Sequence, residues 1–173
     1  MMMKMFSESP ITTLQIIKPD VIKNYYEIRS GDDSYGALDI IQNTLARAET
    51  YEGSFILERK GFFKPYITVK KEKNEQIEAI SYLDLLSKTK IILNEMPFYF
   101  SIINFWKNQW GWTNEKNQVV LRYKPTIAGT VKGDVEFLKD FFYLKNMELL
   151  TMIGVYFLVN LEEEIQYKRE IIN

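Results

Sequence analysis

Polar and apolar residues alternate over short stretches along most of this chain, and only near its C-terminal end do they fuse into one apolar run. Residues 24–29 (Asn24-Tyr25-Tyr26-Glu27-Ile28-Arg29) lead into the polar cluster Ser30-Gly31-Asp32-Asp33. Residues 54–60 stop at Gly61, and 65–71 follow after a short connection, which is the pattern of a β-hairpin. In 76–82, Ile77, Ala79 and Ser81 fall on one face, and Glu78, Ile80 and Tyr82 on the other. Aromatic and β-branched stretches at 98–106, 118–124, 126–131 and 135–142 extend the series. Regularly spaced short strands predict a sandwich or barrel rather than an α/β fold. Two segments stand apart: 37–49 fits a short helix, with a strand left open, and 83–90 is ambiguous.

The apolar run is Leu149-Leu150-Thr151-Met152-Ile153-Gly154-Val155-Tyr156-Phe157-Leu158-Val159. It is apolar on nearly every side at either helical or strand period, so the rest of the chain must surround it. A membrane-spanning helix needs about 20 apolar residues, whereas runs of about 10–14 are usually buried core helices. With eleven residues bounded by Glu148 and Glu162, the run predicts a core helix near 146–160 and no transmembrane segment. The β-prone Val155-Tyr156-Phe157-Leu158-Val159 leaves a buried central strand as the alternative. Beyond it, 161–173 is a charged tail in which Glu164 precedes Lys168 by four residues, the favourable helical order. Glu162-Glu163-Glu164 reads as a solvated face rather than a metal site.

Composition narrows the chemistry. At 173 residues the chain is expected to form one domain, 1–173, able to enclose a core of its own. Its net charge of −1 gives no global reason to expect nucleic acid as a partner. The first residues lack the apolar core of a secretory signal, so a cytoplasmic location is expected. With no Cys and no His, thiolate nucleophiles, imidazole bases and zinc sites of the usual ligand type are excluded. No G-x-S-x-G, P-loop or G-x-G-x-x-G occurs. The expectation is a protein that is not an enzyme and takes no cofactor or metal.

Met152-Ile153-Gly154-x-x-Phe157-Leu158-Val159 resembles the closing motif of the phospholipid scramblase family, which belongs with the LURP-one-related and tubby C-terminal proteins. Tyr25-Tyr26-Glu27-Ile28-Arg29 is similar to that family's early Y-x-I strand, and Phe55-Ile56-Leu57-Glu58-Arg59 to its strand ending in L-x-R. The resemblance implies a mainly β fold: a closed antiparallel barrel of about twelve strands around a central hydrophobic C-terminal α-helix. It implies a binding or scaffold module that contacts anionic lipid headgroups or a protein partner, peripheral to a membrane. Gly154 then lets a strand or bulky side chain approach the helix. Calcium-dependent scrambling fits less well. Of the acidic positions that would bind calcium, only Asp134 aligns, Glu136 and Asp140 are out of phase, and the lipid-attachment cysteines have no counterpart.

Two surface candidates follow from the residues themselves. The hairpin carries Arg59, Lys60, Lys64, Lys70 and Lys71, with Phe62 and Phe63 at its tip. Such a wedge suits an anionic headgroup layer, unless one Phe packs inward and the lysines merely keep a strand edge soluble. Trp106, Trp110 and Trp112 would form a stacking platform, unless they plug the barrel end. The competing class is a small-molecule-binding or catalytic barrel using Asp134, Glu136 and Asp140.

Overall fold

Twelve strands follow one another along the chain and each pairs antiparallel with its neighbours. They are β1 (Thr13–Ile17), β2 (Tyr25–Ser30), β3 (Asp33–Gln42), β4 (Leu45–Thr50), β5 (Gly53–Lys60) and β6 (Tyr66–Lys71). The second half comprises β7 (Ile77–Tyr82), β8 (Thr89–Leu93), β9 (Met96–Asn104), β10 (Gln109–Thr113), β11 (Val119–Pro125) and β12 (Val131–Phe137). Pairing of β1 with β12, with Leu14 opposite Val135, closes the ring. An α-helix, α1 (Met147–Ile172), follows. The computed structural model describes residues 3–5, 12–61, 64–83, 88–126, 129–138, 141 and 144–172, with side chains only as far as 160.

Closure leaves no unpaired edge but creates an interior that must be filled. Alternate positions supply part of the filling: Ala46, Ala48, Leu57, Ile67, Val69, Ile91, Leu121 and Val135 are all buried. α1 supplies the rest. Its residues from Met147 to Leu158 are buried on every side, as the apolar run requires. Met152 lies against Gly36 of β3, while Phe157 packs on Phe100 of β9 (5.2 Å between ring centroids) and Trp112 of β10 (5.7 Å). These strands lie on opposite sides of the ring, so the helix runs inside it.

The helix is not on the axis. It runs closest to β3 and β4, where Gly36, Ala46 and Ala48 present little bulk. The opposite wall supplies the bulk through Phe100, Trp112 and Tyr123. Gly154 is where that wall meets α1. A Cβ at this position would fall on the Tyr123 hydroxyl and its ring carbon, and 2.8 Å from Trp112 Nε1. The Tyr123 hydroxyl donates to the Thr151 carbonyl at 3.1 Å, so the phenol is satisfied in an apolar setting. Burial pushes its pKa far above the usual phenol range. Two other buried polar side chains satisfy themselves within α1: Thr151 Oγ1 donates to the Met147 carbonyl (2.7 Å) and Asn160 Nδ2 to the Tyr156 carbonyl (2.8 Å).

The expected hairpin, twelve-strand barrel and core helix are all present, and the helix continues through the charged tail to Ile172. Segment 37–49 is not a helix but most of β3 and β4, joined at Asn43-Thr44. Ala46 and Ala48 reflect a shortage of space beside α1, not helix propensity. Of the expected strands 126–131 and 135–142, residues 127–128, 139–140 and 142 lie outside the described residues; the strand found is β12, which straddles the gap between the two and passes through Gly133 at φ +153°. Added bulk at Gly133 would meet the Lys124 carbonyl at 2.6 Å, so this glycine lets β12 lie close to β11.

Gly154→Ala gains up to ~1 kcal/mol of helix propensity but overpacks the contact with Tyr123, at a typical cost of about 1–3 kcal/mol. Chemical denaturation should show a net loss of stability. A variant as stable as the parent would mean that α1 and Tyr123 do not touch.

Candidate functional site

Strand parity decides which of the expected contact residues can act together. Direct partners in an antiparallel pair share a face. Arg59 pairs with Ile67 and Lys71 with Phe55, both partners being core residues, so these two cations are on the inward parity at opposite ends of the hairpin. Lys60 pairs with Tyr66 and Lys70 with Ile56, which places them on the outer wall. Glu58 serves both outer lysines, at 2.8 Å from Lys60 and 3.8 Å from Lys70. Lys64 is exposed in the connection between β5 and β6, and Phe62 and Phe63 lie outside the described residues. The five described cations therefore do not share one face.

The tryptophans divide in the same way. Trp112 is fully buried and Trp110 nearly so; both pack on Phe100, at 5.1 Å and 5.6 Å between centroids. Their strand spacing does put them on one face, but that face is the interior. Trp106 is 93% exposed in the β9–β10 turn, beside the 74% exposed Phe105. The three-tryptophan platform is not assembled, because a turn separates Trp106 from the other two.

Of the acidic residues considered for catalysis or calcium, Asp134 and Glu136 face outward. Asp134 pairs with Lys124 and Gln15. Glu136 accepts from Arg122 Nη1 at 2.7 Å and lies 3.3 Å from Lys124. Partial burial pushes the Glu136 carboxyl up, but Lys124 and Arg122 outweigh it and hold the group below its ordinary value. Asp140 lies outside the described residues. Among the described residues, no group of three acidic side chains is placed to hold a metal ion.

Three features escaped the sequence. Glu52, in the β4–β5 turn, meets the start of α1, where the Asn146 backbone N–H donates to it and Glu148 stands nearby. Nothing in local spacing links positions so far apart. A cleft of about 300 Å³ opens at the same end, with Met96, Pro97, Phe98, Phe141 and Leu144 as its apolar lining. The opposite end, where α1 leaves the barrel, exposes Val21 and Ile22 in the β1–β2 connection as well as Phe105 and Trp106.

Two outcomes test this geometry. Burial, then Glu148, raise the Glu52 pKa. The folded state therefore binds this proton more tightly than the unfolded one, so the contribution of Glu52 is greatest below its ordinary value of 4.5 and falls as pH rises through the raised value. Glu52→Gln should accordingly gain stability relative to the parent as pH is taken from 4 to 7; a pH-independent difference would contradict the placement. Trp106→Phe should remove most of the acrylamide-quenchable fluorescence, while the same change at Trp112 should leave it. No family model matches this chain, and neither the curated proteins nor the solved structures contain a significant match to it.

Proposed function

We propose that this protein is a non-catalytic binding module of the tubby-like, LURP-one-related kind, and that it contacts anionic lipid headgroups. The observation that carries the reading is the filled interior. α1 occupies the space in which other barrels of this size hold ligands, so binding falls to the outer wall and the rims. The architecture is of the kind that the Met152-Ile153-Gly154 resemblance implies. The acids considered for catalysis support it too, since Glu136 is engaged by Arg122 and Lys124 outside the barrel. The exposed Lys64 and the half-exposed Lys60, which is paired with Glu58, supply the attraction, at about 1 kcal/mol for each that reaches an anionic surface.

Co-sedimentation with vesicles tests the reading. Phosphatidylcholine vesicles containing a fifth phosphatidylserine should retain the protein at low salt, with retention falling steeply as salt is raised. Pure phosphatidylcholine should retain little. Equal recovery in the supernatant with both vesicle types would overturn the reading.

A further inference from the structure

The outer wall of β5 to β9 carries a row that neither the hairpin nor the tryptophan cluster anticipates. Lys60 pairs with Tyr66, Tyr66 with Tyr82, Tyr82 with Lys90, and Lys90 with Tyr99. Each pair shares a face, so five consecutive strands present Lys, Tyr, Tyr, Lys and Tyr side by side. Tyr82 is 70% exposed and its ring lies 5.9 Å from that of Tyr66. Lys88 and Lys90 both stand over the Tyr99 ring, at 4.7 Å and 5.8 Å.

One step toward the entry end of α1, the wall becomes aliphatic. Ile80 is 45% exposed and Ile92 49% exposed, on the outer faces of adjacent strands, and Ile92 pairs with Pro97. The outer face around Ile80, Tyr82 and Ile92 also carries Lys60, Lys70 and Lys90, with Glu58 tied between the first two and Glu78 on β7. Contiguous exposed apolar surface with a charged rim marks an interaction site. Tyrosines and lysines around an aliphatic centre match the interfacial layer of a bilayer, where amphipathic rings sit at headgroup level and cations meet anionic lipid.

The other exposed apolar group, at the exit end, is poorly placed for a flat surface. Past Asn160 the α1 backbone continues as helix for twelve residues, about 18 Å at 1.5 Å per residue, through a charged sequence that includes Glu162-Glu163-Glu164 and Lys168-Arg169-Glu170. Glu162, Glu163, Glu164 and Glu170 in this segment disfavour an anionic surface at that end. Approach along the wall meets no such obstacle.

We infer that the β6–β9 wall, centred on Ile80, Tyr82 and Ile92 and rimmed by Lys60 and Lys90, is a docking face for an anionic membrane, with the barrel axis lying along the bilayer. This rests on the lipid-contact reading above. The test is vesicle partitioning, on the same phosphatidylcholine–phosphatidylserine vesicles, of Ile80→Gln/Ile92→Gln, Tyr82→Ala and Lys60→Ala/Lys90→Ala beside the exit-end variant Ile22→Ala/Trp106→Ala. All these positions are at the surface, and melting temperature confirms that each variant is folded. The wall variants should lose tenfold or more in partitioning and the exit-end variant should not. Ile80→Trp should shift its emission to the blue on vesicle addition. If the parent binds and the wall variants bind equally well, the wall assignment fails and the lipid reading stands. If the parent ignores anionic vesicles, both fail. Retention by a single-stranded oligonucleotide that vesicles do not compete away would reassign the row to nucleic acid and overturn the inference.

Discussion

The fit between a twelve-strand ring and one apolar helix is the constraint on which the rest of the molecule depends. A closed ring of this size cannot fill itself with alternate side chains alone. A helix that is apolar all round cannot stand in water. Each removes the other's difficulty, and the contact is specific rather than generic. Small residues on β3 and β4 admit the helix to one side, Phe100, Trp112 and Tyr123 fill the other, and Gly154 accepts the phenol of Tyr123. Interior packing of this density leaves little tolerance for a change of volume.

That constraint sorts the surface by parity. Once one face of every strand is committed to the helix, neighbouring residues in sequence point in opposite directions. A basic run such as Lys70-Lys71 is split between outer wall and inward face. Residues far apart in sequence, such as Tyr66, Tyr82 and Tyr99, become neighbours. The entry of α1 gathers Glu52 and Glu148 by the same logic.

Much of the architecture was legible in the sequence, because period and length carry it. The run from Leu149 to Val159 announces its own burial, and Gly61 and Pro65 punctuate the β5–β6 hairpin. What was not legible depended on partners. Ala46 and Ala48 look helical until α1 is known to lie against their strand, and β12 is hidden by Gly133, whose role is a close approach to β11. Candidate contact residues were harder still. Linear clusters such as Trp106 with Trp110 and Trp112 are misleading across a turn, and the row from Lys60 to Tyr99 has no linear signature, since only ring registration creates it.

The order of elements along the chain has a consequence for biosynthesis. Strands emerge from the ribosome first and the helix that fills them comes last. Closing the β1–β12 seam also joins two of the most distant strands in the chain, a pairing that is slow because of its high contact order. Until Met147 and the residues after it are made, the inner faces of twelve strands have nothing to cover them. The nascent protein is then a collection of hairpins with exposed apolar faces, a state open to chaperones and to aggregation. Synthesis of α1, rather than of any strand, commits the chain to its fold.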